Sequence, residues 1–165
     1  GKREQEEIFR KWIKDYKLLV FKVTRIYAQD HQDFEDLFQE ISIQIWRSIP
    51  NFQSRSLLST WIYKVALNTA LTWRKKQAVP MEELADRHLK VTDDDIANSP
   101  QLEWVYEQVS QMEPVDRSLC LLLLDGHSYK EMSEIIGMST SHVGVRIHRI
   151  KKLLSEQSKN LKNGV

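Results

Sequence analysis

The stretch SYKEMSEIIGMSTSHVGVRIHRIKKLL, residues 128–154, decides the fold of the second half of the chain. Ser128 and Glu131 have the spacing of a capping box, which predicts the start of a short helix. Gly137 tolerates a positive φ where this helix ends, and Ser139 is suited to cap the helix that follows. Two helices separated by the three-residue turn 137–139 form the pattern of a helix-turn-helix.

Apolar residues at helical spacing predict how these two helices pack, with the small Ser133 where they cross. The residues expected to lock the pair are Met132, Ile136, Met138, Val143 and Ile147, followed along the second helix by Ile150 and Leu154. The opposite face of the second helix then presents Ser141, His142, Val145, Arg146, Arg149 and Lys152. Because arginine pairs with guanine edges and phosphates, this face is typical of a helix that enters the major groove of DNA. A basic face that is only solvated is the alternative interpretation.

Gly144 lies inside this predicted second helix, where glycine costs about 1 kcal/mol relative to alanine. A close approach of the helix to DNA would account for it. His142 and His148 fall on different faces of the same helix, and no cysteine or carboxylate completes a ligand set. We therefore expect no metal site here.

Helical patterns also cover most of the remaining chain. In the first half they cover residues 3–28, 33–48 and 57–77, with Asp33 as the expected N-cap of the second helix. In the second half, Pro100 and Pro114 are each expected to open a helix before the helix-turn-helix. The sequence thus predicts an all-α protein of two small helical domains, residues 1–77 and 99–165, joined by a linker at 78–98 without helical period.

Charge also divides the chain into three segments. Residues 1–80 contain 14 Lys and Arg against 9 Asp and Glu, and residues 114–165 contain 8 against 5. Residues 81–113 contain only 2 against 9, which makes the linker region acidic. Two basic blocks suggest two surfaces for a polyanion, separated by a connector that avoids it.

The segment 51–77 combines three features that suit single-stranded DNA. A polar loop at 51–56 contains one aromatic residue, Phe52, and offers amide and hydroxyl groups to an unstacked base. The helix after it contains Trp61, Tyr63 and Trp73 and ends in the basic run Arg74-Lys75-Lys76. Aromatic groups that stack on bases, beside cations that follow phosphates, are typical of single-strand binding. Packing in the core is the alternative interpretation for Trp61 and Trp73.

Several function classes are disfavoured. No nucleophile–base pair, phosphate-binding glycine loop or metal-ligand spacing is visible, so we expect neither an enzyme nor a cofactor. The single cysteine, Cys120, lies in an apolar run and is expected to be buried. No apolar run approaches the ~20 residues that span a bilayer, and the charged N-terminus has no signal core. We expect a cytoplasmic protein with no membrane insertion.

Two sets of residues resemble the extracytoplasmic-function (ECF) sigma factors of bacterial RNA polymerase. Region two of that family is resembled by Asp36-Leu37-x-Gln39-Glu40, Trp46, Phe52, Ser56, Thr60-Trp61, Ala66-x-Asn68 and Arg74-Lys75. Region four is resembled by Ser128-Tyr129-x-Glu131-Met132, Gly137, Val143, Arg146 and Arg149. The chain departs from many relatives at 53–55, where they contain a glycine, and at Gly144, where they have arginine. The resemblance spans roughly residues 8–155, with both sets in the family's order.

The resemblance implies an alternative sigma factor whose partners are core RNA polymerase, promoter DNA and an anti-sigma factor. Residues 1–77 would dock on the polymerase β′ clamp helices through Asp36, Gln39 and Glu40, and the β flap would be a further contact on core polymerase. The promoter −10 element would be captured and melted by residues of the first domain: Asn51, Phe52, Gln53, Ser54, Arg55, Ser56, Trp61, Asn68, Arg74 and Lys75. The −35 element would be recognised by Ser141, His142, Val145, Arg146 and Arg149, with the two arginines foremost.

Two other functions stay open from the residues alone. A stand-alone helix-turn-helix regulator would need a ligand pocket or dimer surface within residues 1–77. A helical interaction module would bind neither promoter DNA nor polymerase. Co-purification with core polymerase separates both from a sigma factor.

Overall fold

The computed structural model describes residues 1–77 and 100–163, with side chains described through residue 160. The chain divides into two compact units, Gly1–Ser99 and Pro100–Val165. All regular elements in the described ranges are helical, so the fold is all-α. Within those ranges no helix is both long and apolar enough to span a bilayer. The predicted acidic linker at 78–98 lies outside the described residues.

Over residues 1–77, the described part of the first unit, the chain forms four α-helices and one short 3-10 turn. They are α1 (Lys2–Asp15), α2 (Lys17–Tyr27), α3 (His31–Ser48), the 3-10 turn Ile49–Asn51 and α4 (Leu58–Gln77). Helices α2, α3 and α4 pack on one another around fully buried apolar side chains at helical spacing, among them Val20, Val23, Leu37, Ile41, Ile45, Ile62, Ala66 and Ala70. Helix α1 lies against α2, α3 and the 3-10 turn, and Trp12 is its one buried residue.

The prediction of one continuous helix over residues 3–28 was wrong. The backbone leaves helical geometry at Tyr16, with φ −114° and ψ 18°, and α2 begins at Lys17. The Tyr16 amide still donates to the Trp12 carbonyl at 2.9 Å, and the Tyr16 carbonyl accepts from Val20 at 3.0 Å. Apolar spacing continues across this break, so the periodicity does not reveal it. The bend lets α1 lie against the 3-10 turn while α2 packs on α4.

The N-cap of α3 is Asp30 and not Asp33 as predicted. The Asp30 side chain accepts a hydrogen bond from the Asp33 amide at 2.8 Å. Asp33 occupies the first turn, and its carboxylate accepts from the Gln29 amide at 3.3 Å. Aspartate is a good cap at either place; Asp30 takes this role, and the helix begins about one turn earlier than predicted.

The second unit contains α5 (Pro100–Ser110), α6 (Pro114–Leu124), α7 (Tyr129–Ile136) and α8 (Thr140–Asn163). Helix α6 is buried over residues 117–122, and α8 packs on it through Val143, Ile147 and Ile150. Helix α7 contributes Met132 and Ile135 to the same core. Ile136, which the sequence suggested as a lock, is only half-buried, and Ile135 beside it takes the core position.

The helix-turn-helix is confirmed by its local hydrogen bonds. The Ser128 hydroxyl accepts from the Glu131 amide at 3.1 Å, and the Glu131 carboxylate accepts from the Ser128 amide at 2.9 Å. These bonds from Ser128 lower the pKa of Glu131. Gly137 ends α7 in the left-handed region, with φ 83°. Ser133 donates to the Met138 carbonyl and so closes the turn from inside.

Candidate nucleic-acid interface

Helix α8 presents an outward face that contains most of the predicted −35 residues. Ser141, His142 and Arg149 are exposed, and Val145 is 62% exposed although it is apolar. Lys152 continues the same face one turn further. The His142 amide donates to the Ser139 hydroxyl at 3.1 Å, which fixes the start of the helix. An exposed strip of donors, acceptors and one branched aliphatic group can meet base edges and thymine methyl groups in a major groove.

Arg146 is placed differently from the other predicted −35 residues. Its Nη1 donates to Asp116 Oδ1 at 2.9 Å, and Glu113 Oε2 lies 3.8 Å from the same nitrogen. The Arg146 side chain is 19% exposed and that of Asp116 is 17% exposed. Asp116 lies 30 residues away in the first turn of α6. An acid there is favourable for the helix dipole in any case, so the pattern gave no sign of the pairing.

Gly144 lies against the ring of Tyr129. A β-carbon at this position would lie 3.7 Å from Tyr129 Cε2 and 3.9 Å from Cδ2, which are ordinary contact distances. The glycine is therefore not required by the packing of α7 on α8. Nothing in the structure explains the choice of glycine here.

The loop 51–57 contains the predicted DNA-contacting residues 51–56, and its polar residues are exposed. Gln53, Ser54, Arg55 and Ser56 all lie at the surface. Ser54 has a φ of 57°, in the left-handed region that favours glycine. This is the part of the loop at which relatives of the resembled family contain a glycine. The loop thus offers hydroxyl, amide and guanidinium groups from a tightly turned backbone.

The aromatic residues of this segment serve as the loop's anchor. Phe52 is half-buried, with its ring centroid 5.5 Å from Trp12 and 5.4 Å from Trp61. The Trp61 indole donates to the Ser48 hydroxyl at 3.1 Å. Edge-to-face and tilted contacts of this kind stabilise packing beyond the area they bury. Phe52 and Trp61 were predicted to contact DNA, and the structure shows them engaged with each other and with α1.

The basic end of α4 divides into a held and an exposed part. The Gln29 amide oxygen accepts from both terminal nitrogens of Arg74, at 2.7 Å from Nη2. Burial lowers the pKa of Arg74, while the nearby Asp33 carboxylate opposes that shift. Lys75 and Lys76 are exposed. Of the predicted contacts Arg74 and Lys75, only Lys75 extends fully into solvent.

The predicted polymerase-docking residues form one strip along α3. Asp36 and Gln39 are exposed and Glu40 is half-buried, while the apolar Ile43 is 43% exposed one turn further. Asp36 accepts from the Gln32 side chain at 2.9 Å, and Glu40 accepts from Gln44 at 3.0 Å. Glu40 also lines a groove of about 540 Å³ between α3 and α4, together with Gln44, Asn68, Thr69, Thr72, Trp73 and Lys76. The structure thus brings Asn68, predicted to contact DNA, beside a predicted polymerase contact.

The residue types that would indicate chemistry are not assembled within the described residues. No three His, Cys, Asp or Glu side chains in the described ranges are placed to hold a metal ion. Cys120 is fully buried, and burial, with a smaller effect of Asp116, raises the pKa of its thiol to about 11. A neutral buried thiol is a poor nucleophile.

Comparison with known proteins agrees with both halves of this arrangement. Residues 12–79 match the family Sigma-70 region 2, and residues 102–154 match the family Sigma-70, region 4. The chain is 26% identical over 140 residues to the ECF RNA polymerase sigma-E factor of Haemophilus influenzae, covering 76% of this chain and 74% of that protein. It is 25% identical over 168 residues to the ECF RNA polymerase sigma factor SigX of Bacillus subtilis, covering 95% and 87%.

A solved structure shows the same fold. It is the sigma factor RpoE of Bartonella quintana, in complex with the anti-sigma factor NepR, with a TM-score of 0.68 at 20% identity over 89% of this chain and 96% of that one. The two sigma-70 regions match in order and together span most of the chain. A sigma factor therefore describes this chain better than a stand-alone regulator or an enzyme does. The chain belongs to the sigma-70 family as a sigma factor of the ECF type, a DNA-binding subunit that directs promoter recognition and transcription initiation by RNA polymerase.

Proposed function

We propose that the two units divide promoter recognition between them. The exposed face of α8 contacts the −35 element through Ser141, His142, Val145 and Arg149. The loop 51–57 captures a base of the −10 element with its exposed polar side chains, while α4 contributes Asn68 and Lys75 to opening the duplex. The observation that supports this division most directly is the outward strip of α8, which combines Val145 at 62% exposure with exposed polar and basic neighbours.

The division also has an energetic reason. A single helix-turn-helix and a single base-capture loop each bind weakly, but attachment to one polymerase makes the second contact effectively intramolecular. Capture of a base costs a few kcal/mol of unstacking, which is least where the duplex opens easily. We therefore expect the free protein to bind duplex promoter poorly, and binding by the complete polymerase to fall steeply with salt.

The strip on α3 is proposed as the surface that docks on the β′ clamp helices of the polymerase. Its exposed acid and amide groups, Asp36 and Gln39, flank the exposed Ile43, so the strip combines polar contacts with one apolar site. The second unit is proposed to contact the β flap. Asp36→Lys tests the docking strip, and Glu6→Lys is the matched control because Glu6 is an exposed acid on another helix, α1. Only the first variant is expected to lose core polymerase in co-purification.

An anti-sigma factor is proposed as a further partner. The solved relative RpoE is bound to the anti-sigma factor NepR, and this chain has the same fold. Such a partner would cover the docking or DNA-contacting surfaces and compete with core polymerase. The test takes a protein that co-purifies with this chain and measures whether it competes with core polymerase for the chain. Simultaneous binding of both would contradict the proposal.

Run-off transcription with bacterial core polymerase, this protein and a pool of upstream DNA fragments tests the division as a whole. We expect discrete transcripts that are lost with Arg149→Ala or with alanines at 53–56. Lys159→Ala is the control, since Lys159 is an exposed basic residue of α8 beyond the helix-turn-helix. Transcripts that survive Arg149→Ala unchanged would refute the role given to α8.

A further inference from the structure

We infer that Arg146 positions the recognition helix α8 by an ion pair with Asp116 and does not itself contact a base. The inference rests on the proposed role of α8 in −35 recognition. Arg146 donates from Nη1 to Asp116 Oδ1 at 2.9 Å, which is the distance of a good charge-assisted hydrogen bond. The pair joins the second turn of α8 to the first turn of α6.

The burial of α8 side chains separates Arg146 from the outward strip. Val145 is 62% exposed, and Ser141, His142 and Arg149 are exposed as well. Arg146 is 19% exposed, and it is followed by the fully buried Ile147. Its Nε also makes a long contact of 3.5 Å with His142 Nε2. The guanidinium therefore lies on the α6 side of the helix, where it also contacts His142, a residue of the outward strip.

The pair has an electrostatic consequence for DNA binding. Asp116 and Arg149 both line a groove of about 430 Å³ between α6 and α8. A carboxylate left without its partner at this place would attract Arg149 and oppose the approach of phosphates. By neutralising Asp116, Arg146 leaves Arg149 available to DNA. Removal of Arg146 thus weakens DNA binding whether or not Arg146 contacts a base, and an Arg146 variant alone does not decide between the two roles.

Asp116→Asn decides between them, because the two roles predict opposite signs. If Arg146 positions α8, Asp116→Asn removes the charge from the ion pair, leaves at most a neutral hydrogen bond, and lowers −35-dependent transcription by about fivefold, or ~1 kcal/mol. If Arg146 contacts a base, Asp116→Asn frees the guanidinium and removes a negative charge, so transcription stays the same or rises. The assay compares run-off transcription by the reconstituted polymerase on an intact and a scrambled −35 element.

Glu113→Gln is the matched control for charge. Glu113 also lies near Arg146, but at 3.8 Å and with a side chain that is 76% exposed, so solvent screens the interaction. It removes the same negative charge as Asp116→Asn and leaves the short hydrogen bond in place. We expect transcription with Glu113→Gln to remain within about twofold of the unmodified protein. An equal loss with both variants would show a general effect of charge and overturn the inference.

Base preference and the double variant give two independent readouts. Arg146→Gln is expected to lower transcription from all −35 sequences in the same ratio. Asp116→Asn added to it is expected to restore part of that loss, because the unpaired carboxylate is removed. Loss of discrimination at one base pair with Arg146→Gln would assign Arg146 to base contact and overturn the inference. Arg149→Ala, assayed in parallel, separates this failure from that of the proposed function, since an unaffected Arg149→Ala would refute the role of α8 itself.

Discussion

Replacement of Trp12 by leucine perturbs the −10 loop without replacing any side chain proposed to contact DNA. Trp12 is 7% exposed on α1, and its ring meets Phe52 edge-to-face at 5.5 Å. Phe52 in turn lies 5.4 Å from Trp61, which is hydrogen-bonded to Ser48. Leucine keeps the site apolar but removes the ring on which Phe52 rests, so the loop loses one of its two aromatic supports.

The magnitude follows from the contacts. The lost aromatic pair contributes about 0.5–1.5 kcal/mol beyond its area. Roughly 50 Å² less apolar surface buried by leucine adds about 1.3 kcal/mol at ~25 cal/mol per Å². We expect the free energy of unfolding of the first unit to fall by about 2–3 kcal/mol, which a domain of ordinary stability, about 5–15 kcal/mol, survives. Part of this loss appears as a loop that no longer holds the geometry needed to capture a base.

The assay compares transcription from a duplex promoter with transcription from the same promoter opened in advance over the −10 element. Because unstacking is already complete in the opened template, a poorly held loop should matter less there. We expect Trp12→Leu to lower transcription from the duplex by about tenfold, the equivalent of 1.4 kcal/mol, and to lower it far less on the opened template. Urea unfolding of each variant gives the accompanying loss of stability.

Phe9→Leu is the matched control for this prediction. Phe9 lies on the same helix and pairs edge-to-face with Trp46 at 5.5 Å, away from Phe52. It should reduce stability in a similar way while leaving the ratio of duplex to opened-template transcription unchanged. A Trp12→Leu protein that loses stability yet transcribes the duplex at the unmodified level would refute the anchoring role. The same conclusion would follow if both variants changed the ratio equally.

Three further predictions follow from single contacts. Gly144→Ala should raise the free energy of unfolding of the second unit by about 1 kcal/mol, since helix propensity improves and the β-carbon fits at 3.7 Å from its neighbour. Gly137→Ala should lower that free energy by about 1–2 kcal/mol, because Gly137 has a φ of 83°. Amide hydrogen exchange in α8 measures both effects. The pKa of Cys120 is raised to about 11 from 9.0, so the thiol loses its proton at lower pH in the unfolded state than in the folded state. The free energy of unfolding should therefore fall as pH rises from 9 towards 11. Urea unfolding over that pH range measures the sign, and a free energy that rises with pH would contradict the prediction. Arg74→Ala should reduce the stability of the first unit because Arg74 is hydrogen-bonded to the Gln29 side chain. Lys75→Ala should reduce promoter opening alone. Urea unfolding measures the first effect and run-off transcription the second.

The sequence by itself determined the helix-turn-helix and the helical class. Ser128 and Glu131 are three residues apart, and their capping bonds form within one helical turn. Gly137 adopts the left-handed conformation because glycine has no β-carbon to clash there. Val143, Ile147 and Ile150 face the core because 3.6 residues complete a turn. Interactions as local as these are readable without knowing what the chain meets elsewhere.

Only the tertiary structure shows which residues of a predicted face are in contact with other parts of the protein. Arg146 and Arg149 have the same residue type and fall near one another on α8, yet only Arg146 is bonded to an acid 30 residues away. Phe52 was predicted to contact promoter DNA, and its ring lies between those of Trp12 and Trp61. Helical periodicity assigns a side chain to a face of its helix, but it contains no information about the neighbour across that face. That neighbour is set by how helices distant in sequence pack, and its presence determines whether a charge or a ring remains available to DNA.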